Sequence, residues 1–412
     1  MRVTKISGGN PKTMRRLNRC LVVETIRQNG SFSRSDIADA TNLSRTAITN
    51  LVNELLKEGT IRENATINAG RGRGKVMLEI DKAAGVSIGL ELADERIEGV
   101  LVNLKGEVIR SYKIECVGDH VTEEIINLLV QSIENLVNCF DGRRENTKGI
   151  GIAIQGLVDP QKGISFSVPF LENWKDVQLK RILEEKLNIP VLMDCRIFAA
   201  TLAEMWYGAG REVSDFLYVS IGTGVALGIV SGGKILRGTV NSAGQFGHMT
   251  VVNGGRRCFC GNYGCLETVS STKALRERAV DALKSGVESS MKESDHITFG
   301  EIVKAAKNGD KLAVTLLEET GEYLGVGIAD LVNLFNPALI VIGGEIVQAG
   351  DIVLDSIKRS ARAKSVGTCF QSTKIRFSTL HQESAPSLGA ATMILHKHFE
   401  IPEIMVPEVK WK

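Results

Sequence analysis

His248, Cys258, Cys260 and Cys265 fall within eighteen positions, spaced H-x9-C-x-C-x4-C. Three thiols and one imidazole form a standard tetrahedral ligand set for Zn²⁺, and four protein ligands leave no open position, as in structural zinc. Gly254, Gly255, Gly261 and Gly264 punctuate the same run, as expected where backbone turns tightly about an ion. The alternative is a cluster of buried or disulfide-bonded cysteines. The compact spacing weighs against it, as does an N-terminus, Met-Arg-Val-Thr-Lys-Ile, with no apolar signal segment. The expectation is one structural Zn²⁺ per chain.

A second set of side chains is suited to polyanions. Residues 1–75 hold 14 Lys and Arg against 6 Asp and Glu, a charge of +8, while the remainder (36 basic, 42 acidic) carries −6. A basic module on an acidic body points to nucleic acid. Its candidate contacts are Ser33, Arg34, Ser44, Arg45, Thr46, Thr49 and Asn50, with Arg71 and Arg73 in the run Ala69-Gly70-Arg71-Gly72-Arg73-Gly74-Lys75. Arg and Asn can read base edges in a major groove, and an Arg-rich tip can enter a minor groove or grip phosphate.

The elements that hold them are legible. Apolar spacing predicts a helix over 12–28, stopped at Asn29-Gly30. Ser33 is placed to cap a short helix, Thr41-Asn42-Leu43 to turn, and Ser44 to cap a helix over 45–58. Strands over 60–63 and 75–80 then flank the Arg71/Arg73 tip. This is a winged helix-turn-helix for double-stranded DNA; a small helical interaction domain with a solvated basic loop is the alternative.

From residue 85 the pattern changes. Strands are predicted over 86–92, 96–104 and 108–114, a helix over 122–140 and a buried strand over 150–154. A similar hairpin recurs at 216–224 and 225–230, so the body reads as two related α/β halves. No run of eighteen apolar residues exists, so no membrane partner is expected, and the cytoplasm is the expected location.

Residues 221–247 around Gly222-Thr223-Gly224, the zinc spacing at 244–267, and the opening phrase Gly9-Asn10 with Arg16-Leu17-Asn18-Arg19 together resemble the ROK family of repressors and sugar kinases. The resemblance covers nearly the whole chain. It implies an N-terminal winged helix-turn-helix followed by a two-lobed, actin-like (ribonuclease H-like) α/β body. It also divides the chain into 1–82 for DNA, 83–196 plus 385–412 as the first lobe, and 197–384 as the second lobe, with the zinc motif and an oligomerisation surface.

The family's kinases carry Asp-x-Gly-Gly-Thr in the first hairpin. Here it reads Glu91-Leu92-Ala93-Asp94-Glu95, acids where phosphate-gripping glycines are needed. Their catalytic Asn-Asp aligns with Cys195-Arg196, and an arginine stays protonated. Asp194 lies two positions earlier. Gly222-Thr223-Gly224 and Gly343-Gly344 persist. The resemblance therefore implies no enzyme but a DNA-binding regulator, a repressor of carbohydrate-utilisation genes. The alternatives are an ATP-dependent sugar kinase with a regulatory arm, and a regulator gated by a protein partner.

At the family's sugar-binding positions this chain has Phe170, Cys195, Arg196, Gln245, His248 and Glu267, and Asp194 beside them is a further candidate for the effector. Arg196 favours an anionic sugar derivative as effector, unless it pairs internally with Asp194 or Glu267. A homodimer or homotetramer is expected, since paired winged helices read palindromic operators.

Overall fold

The computed structural model describes residues 11–67, 74–94, 96–116, 121–139, 144–292, 294, 296–380 and 385–399. Arg71 and Arg73 of the wing tip lie outside the described residues.

The N-terminal unit consists of α1 (Pro11–Asn29), β1 (Phe32–Ser33), α2 (Arg34–Thr41), α3 (Arg45–Lys57), β2 (Ile61–Ile67) and β3 (Lys75–Ile80). Its helix starts follow from local chemistry. Ser33 and Asp36 form a capping box at α2, and Ser44 accepts from Ala47 N at 3.2 Å at α3. Asn42, at φ +56°, makes the left-handed turn between them, a conformation that asparagine tolerates. The sheet order is β1-β3-β2. β2 runs past the expected strand because a register shift between Glu63 and Thr66 lets pairing continue to Ile67. Its polar, exposed residues show no alternation from which that length could be read.

Two sheets form the body. The first comprises β4 (Val86–Leu92), β5 (Arg96–Asn103), β6 (Val108–Glu115), β7 (Thr147–Ile154) and β11 (Val191–Cys195), in the order β11-β7-β4-β5-β6. A small sheet, β8 (Leu157–Asp159), β9 (Ile164–Val168) and β10 (Leu171–Val177), follows β7. The sequence reading did not find it: its residues are partly exposed, and the apolar pattern is broken by turns. Helices α4 (Thr122–Asn138) and α5 (Leu179–Leu187) cover this lobe.

The second large sheet comprises β12 (Phe216–Ile221), β13 (Val225–Ser231), β14 (Lys234–Ile235), β15 (Leu339–Gly343) and β16 (Lys374–Phe377), in the order β16-β15-β12-β13-β14. In both sheets an antiparallel meander is extended by two parallel strands on the side of its first strand. The repeat sensed in the sequence is thus one topology used twice, the actin-like arrangement. Helices α7 (Glu267–Ser270), α8 (Thr272–Lys284), α9 (Phe299–Lys307), α10 (Lys311–Phe335), α11 (Asp351–Lys364) and α12 (Gly367–Ser372) complete the second lobe. Among the described residues, no helix is long and apolar enough to cross a membrane.

Two further helices join the parts: α6 (Arg196–Trp206) and α13 (Ala385–Phe399). α13 lies against bare backbone. A Cβ on Gly89 would come within 1.9 Å of the Ser387 carbonyl, on Gly151 within 1.8 Å of that of Ala390, and on Gly389 within 1.8 Å of that of Ala199. The DNA-binding unit is not loosely tethered either. Val22, Ile26, Ile48, Leu55 and Ile80 share one buried cluster with Val100 and Val102 of β5 and with Leu395 and Phe399 of α13. At its rim the buried carboxylate of Glu79 accepts from Arg62 of β2 (2.8 Å) and from Lys105 of the body (2.5 Å). The Lys105 ammonium above all, and then Arg62, hold its pKa below the ordinary glutamate value, although burial opposes them.

The α6–α13 contact permits a test. Gly389→Ala forces α13 off α6 and should cost at least about 1–3 kcal/mol, the usual range for overpacking. Urea denaturation of the full chain should show a lowered midpoint at unchanged slope; an unchanged midpoint would mean that the helices are not in close contact.

Candidate functional site

On the recognition helix α3, Ile48, Leu51, Val52 and Leu55 are buried, while Arg45, Thr46, Thr49, Asn50 and Asn53 are exposed. The exposed set forms a polar stripe that a major groove can accept. Not every expected contact belongs to it. Ser33 is only 3% exposed and caps α2, so its role is structural rather than DNA-facing. Ser44 is exposed, but its hydroxyl caps α3. Arg34 is tied to Glu63 of the wing at 3.3 Å. Asn53 escaped the sequence reading; its signal was a place one turn beyond Asn50 on the same face.

The four metal-ligand candidates converge. Their ligand atoms all lie within 4.8 Å of one another. His248 ends a 3₁₀ turn, and the loop behind it folds back through bridges pairing Thr250 with Cys265 and Arg257 with Tyr263. That return needs Gly264: at φ +68°, its Cβ would stand 1.7 Å from the Val252 carbonyl. Cys260 Sγ is 3.7 Å from Cys265 Sγ, and Cys258 Sγ is 3.5 Å from His248 Nδ1. A tetrahedron with Zn–S near 2.3 Å and Zn–N near 2.0–2.1 Å has edges of about 3.7 and about 3.5 Å, so the donor set fits zinc. Burial, and then the hydrogen bond to Glu267 (Cys258 Sγ to Oε1, 2.9 Å), pushes the Cys258 thiol up. A divalent cation reverses that sign by stabilising thiolate. Glu267 Oε1 also lies 3.4 Å from His248 Nδ1. His248 and Glu267 are thus neighbours at the edge of this His/Cys cluster.

Across the cleft, the positions aligned with kinase chemistry pair with each other. Arg196 Nε donates to Glu91, whose side chain is 1% exposed. Glu91 is therefore the partner of Arg196, and neither Asp194 nor Glu267 fills that role. Of the two expectations for Arg196, an internal pair is what the structure shows, with Glu91 as the partner in place of the two acids named for it. Asp194 is held from the other lobe: Arg237 Nη2 lies 2.6 Å from its Oδ2, and Asn241 Nδ2 lies 3.4 Å from its Oδ1. Arg237 also donates to Asn241 Oδ1 at 3.0 Å and stands 5.0 Å over the Phe198 ring. Sequence reasoning missed Arg237 and Asn241, because nothing local marks a contact that spans two lobes. Phe170 packs on the first-lobe core, and Gln245 is exposed and donates to the Ser242 carbonyl.

The retained glycine loop is flanked by acids. A Cβ on Gly224 would stand 3.5 Å from Glu267 Oε2, and one on Gly222 would stand 4.0 Å from the Glu345 carboxyl carbon. Thr272 Oγ1 donates to Glu345 Oε2 at 2.8 Å. In the first hairpin, Ala93 N donates to Arg96 O at 2.9 Å.

A winged helix-turn-helix sharing its core with a duplicated actin-like body defines a DNA-binding regulator built on a sugar-kinase fold. The chain belongs to the ROK family, which matches residues 87–397; a winged helix-turn-helix DNA-binding family matches residues 15–62. It is 34% identical over 399 residues to the xylose repressor of Caldicellulosiruptor bescii, covering 96% of this chain and 99% of that one. It is 30% identical over 388 residues to the DNA-binding transcriptional dual regulator NagC of Escherichia coli, covering 94% of each. Among solved structures, a ROK-family transcriptional regulator, a homologue of the E. coli MLC protein, superposes with a TM-score of 0.82 at 30% identity, over 94% of this chain and 98% of that one. A ROK glucokinase from Streptomyces griseus, solved with glucose and AMPPNP, gives 0.66 at 28% identity over 75% of this chain and 99% of its own.

The cross-cleft pair is measurable. Asp194→Asn and Arg237→Met should each destabilise the chain, and their double-mutant cycle should return a coupling of about 0.5–3 kcal/mol in thermal or urea unfolding. Additive single effects would show that Arg237 does not hold Asp194.

Proposed function

We propose that this chain represses carbohydrate-utilisation genes by binding operator DNA, and that its body senses a sugar without phosphorylating it. The observation that carries the non-enzymatic reading is the Glu91–Arg196 ion pair. Phosphoryl transfer from ATP needs a cradle for phosphate, an acid for Mg²⁺ and a base for the sugar hydroxyl. At the aligned positions this chain has a closed turn, a carboxylate committed to a guanidinium, and that guanidinium itself. Glu345 and Glu267 beside the glycine loop add repulsion toward a triphosphate.

The effector we propose is a neutral sugar, because Arg196 is compensated. Asp194, His248 and Glu267, with Arg237 and Asn241 around Asp194, offer the convergent polar groups that sugar hydroxyls need on leaving water. The relatives named as xylose and N-acetylglucosamine repressors support this class of ligand. The zinc is structural in this reading, one ion per chain on His248, Cys258, Cys260 and Cys265. We assign DNA binding to 1–82, the first lobe to 83–196 with 385–412, and the second lobe to 197–384, with homodimers or homotetramers presenting paired winged helices in the cytoplasm.

In vitro selection with the full chain should enrich a two-fold symmetric DNA site. Asn50→Ala should weaken binding to it by about 1–3 kcal/mol and relax one base preference in each half-site. A coupled ATP assay over a sugar panel should give no turnover; robust turnover abolished by Asp194→Asn would instead make the chain a kinase. Metal analysis should return one zinc per chain. Chelation should raise amide exchange across 248–267 while leaving α1–α3 protected, and equal loss of protection in both regions would contradict a local role for the metal.

A further inference from the structure

One helix runs from the cleft to the DNA-binding unit. α6 starts at Arg196, paired with Glu91, and ends at Trp206. Eleven residues at 1.5 Å each separate its ends by about 15 Å. At the far end, Arg27 of α1 lays its guanidinium over the Trp206 ring, 3.9 Å from the centroid, well inside cation–π range. Arg27 is itself held in place: Glu24 accepts from its Nε at 2.8 Å and from its Nη2 at 2.6 Å. His396 of α13 flanks Trp206, with ring centroids 5.9 Å apart.

α6 is also fastened to both lobes. Toward the first, its Ala199 backbone meets Gly389 of α13. Toward the second, a Cβ on Gly228 of β13 would stand 1.8 Å from Thr201 Oγ1, and buried Glu204 accepts from Ser378 Oγ and, at 3.0 Å, from Ala209 N. A close-packed helix with such contacts passes on a displacement rather than absorbing it. Beyond α1 the path continues to the recognition helix, where Arg15 pairs with Glu54 and Arg19 lies 2.5 Å from Glu58.

We propose that Arg27 and Trp206 are positioning residues for operator binding: α6 carries a rearrangement at the cleft to α1, and α1 re-aims α3. The proposal rests on the DNA-binding reading above and adds the route of control. Intermediate position alone does not demonstrate coupling, so the test measures coupling directly.

The full chain is titrated onto the DNA that it selects, by fluorescence anisotropy. Glu91→Gln, which releases Arg196, should change operator Kd about five-fold or more, the lower bound of ordinary allosteric coupling. The same substitution in Trp206→Leu or Arg27→Gln should change it less than about two-fold. Since an unpaired, partly buried Arg196 can weaken the fold, the double variant Glu91→Leu/Arg196→Met, which replaces the pair by apolar groups, is run in parallel in each background. Equal shifts in all backgrounds, or no shift from either cleft variant in the wild-type chain, would overturn the proposal. A wild-type chain that selects no DNA would refute the regulator reading, and the proposal with it.

Discussion

A carboxylate as buried as that of Glu91 must be paired or protonated, and in this chain it is paired. The rest of the body follows from that constraint. The partner comes from a helix start more than a hundred residues away, so the end of the first strand is tied to the start of α6. The guanidinium then lies between the lobes, near Tyr218 of the second sheet and Glu345 just past β15 as well as Glu91 of the first sheet. A fold that elsewhere in the family gathers a nucleotide and a sugar here closes part of its cleft with charges of its own. Buried pairs of this kind contribute little net stability against an apolar replacement, but removing one partner costs several kcal/mol. They suit a protein that needs a defined arrangement of its lobes more than it needs a deeper energy well.

The same economy appears at each junction. Arg237 reaches from the second lobe to Asp194 on the first. Lys105 reaches from the body to Glu79 of the wing strand. Arg27 reaches from α1 to Trp206 on α6. At each seam a long basic side chain crosses to a buried acid or an aromatic face, and glycines bring the backbones behind them into contact. Apolar burial joins the units, since the winged-helix core runs into β5 and α13. The charged contacts set the angle at which they are joined, because apolar contact has no direction and hydrogen-bonded ion pairs do.

Local chemistry was legible in the sequence; contact between distant segments was not. Ser44 and Asn42 announce the turn of the helix-turn-helix because caps and left-handed residues act within a few positions. The His/Cys cluster was readable because its four side chains sit in one short loop. β8–β10 were not, because short, half-exposed strands lack a period. Arg196 was recognised as out of place for a kinase, yet its partner was misassigned. Asp194 is near it in the chain and Glu267 belongs to the same family site, whereas Glu91 is its neighbour only once β4 and β11 flank β7 in one sheet. Ser33 was read both as a cap and as a DNA contact; burial excludes the second role.

The His/Cys loop and the Glu91–Arg196 pair belong to different lobes of the body. On one side, Glu267 Oε1 lies beside Cys258 Sγ and His248 Nδ1, in the same short loop that gathers the four metal-ligand candidates. On the other, Arg196 is committed to the buried Glu91, while Asp194 is held by Arg237, whose guanidinium is half exposed. In the proposed sensor, a ligand entering the cleft would meet the His/Cys loop on one wall and side chains held by charge on the other. Work done on binding can only be stored where something can move, which is the side where α6 begins. In that reading the His/Cys wall would set which ligand fits, and the charged wall, where α6 begins, would turn that fit into a displacement.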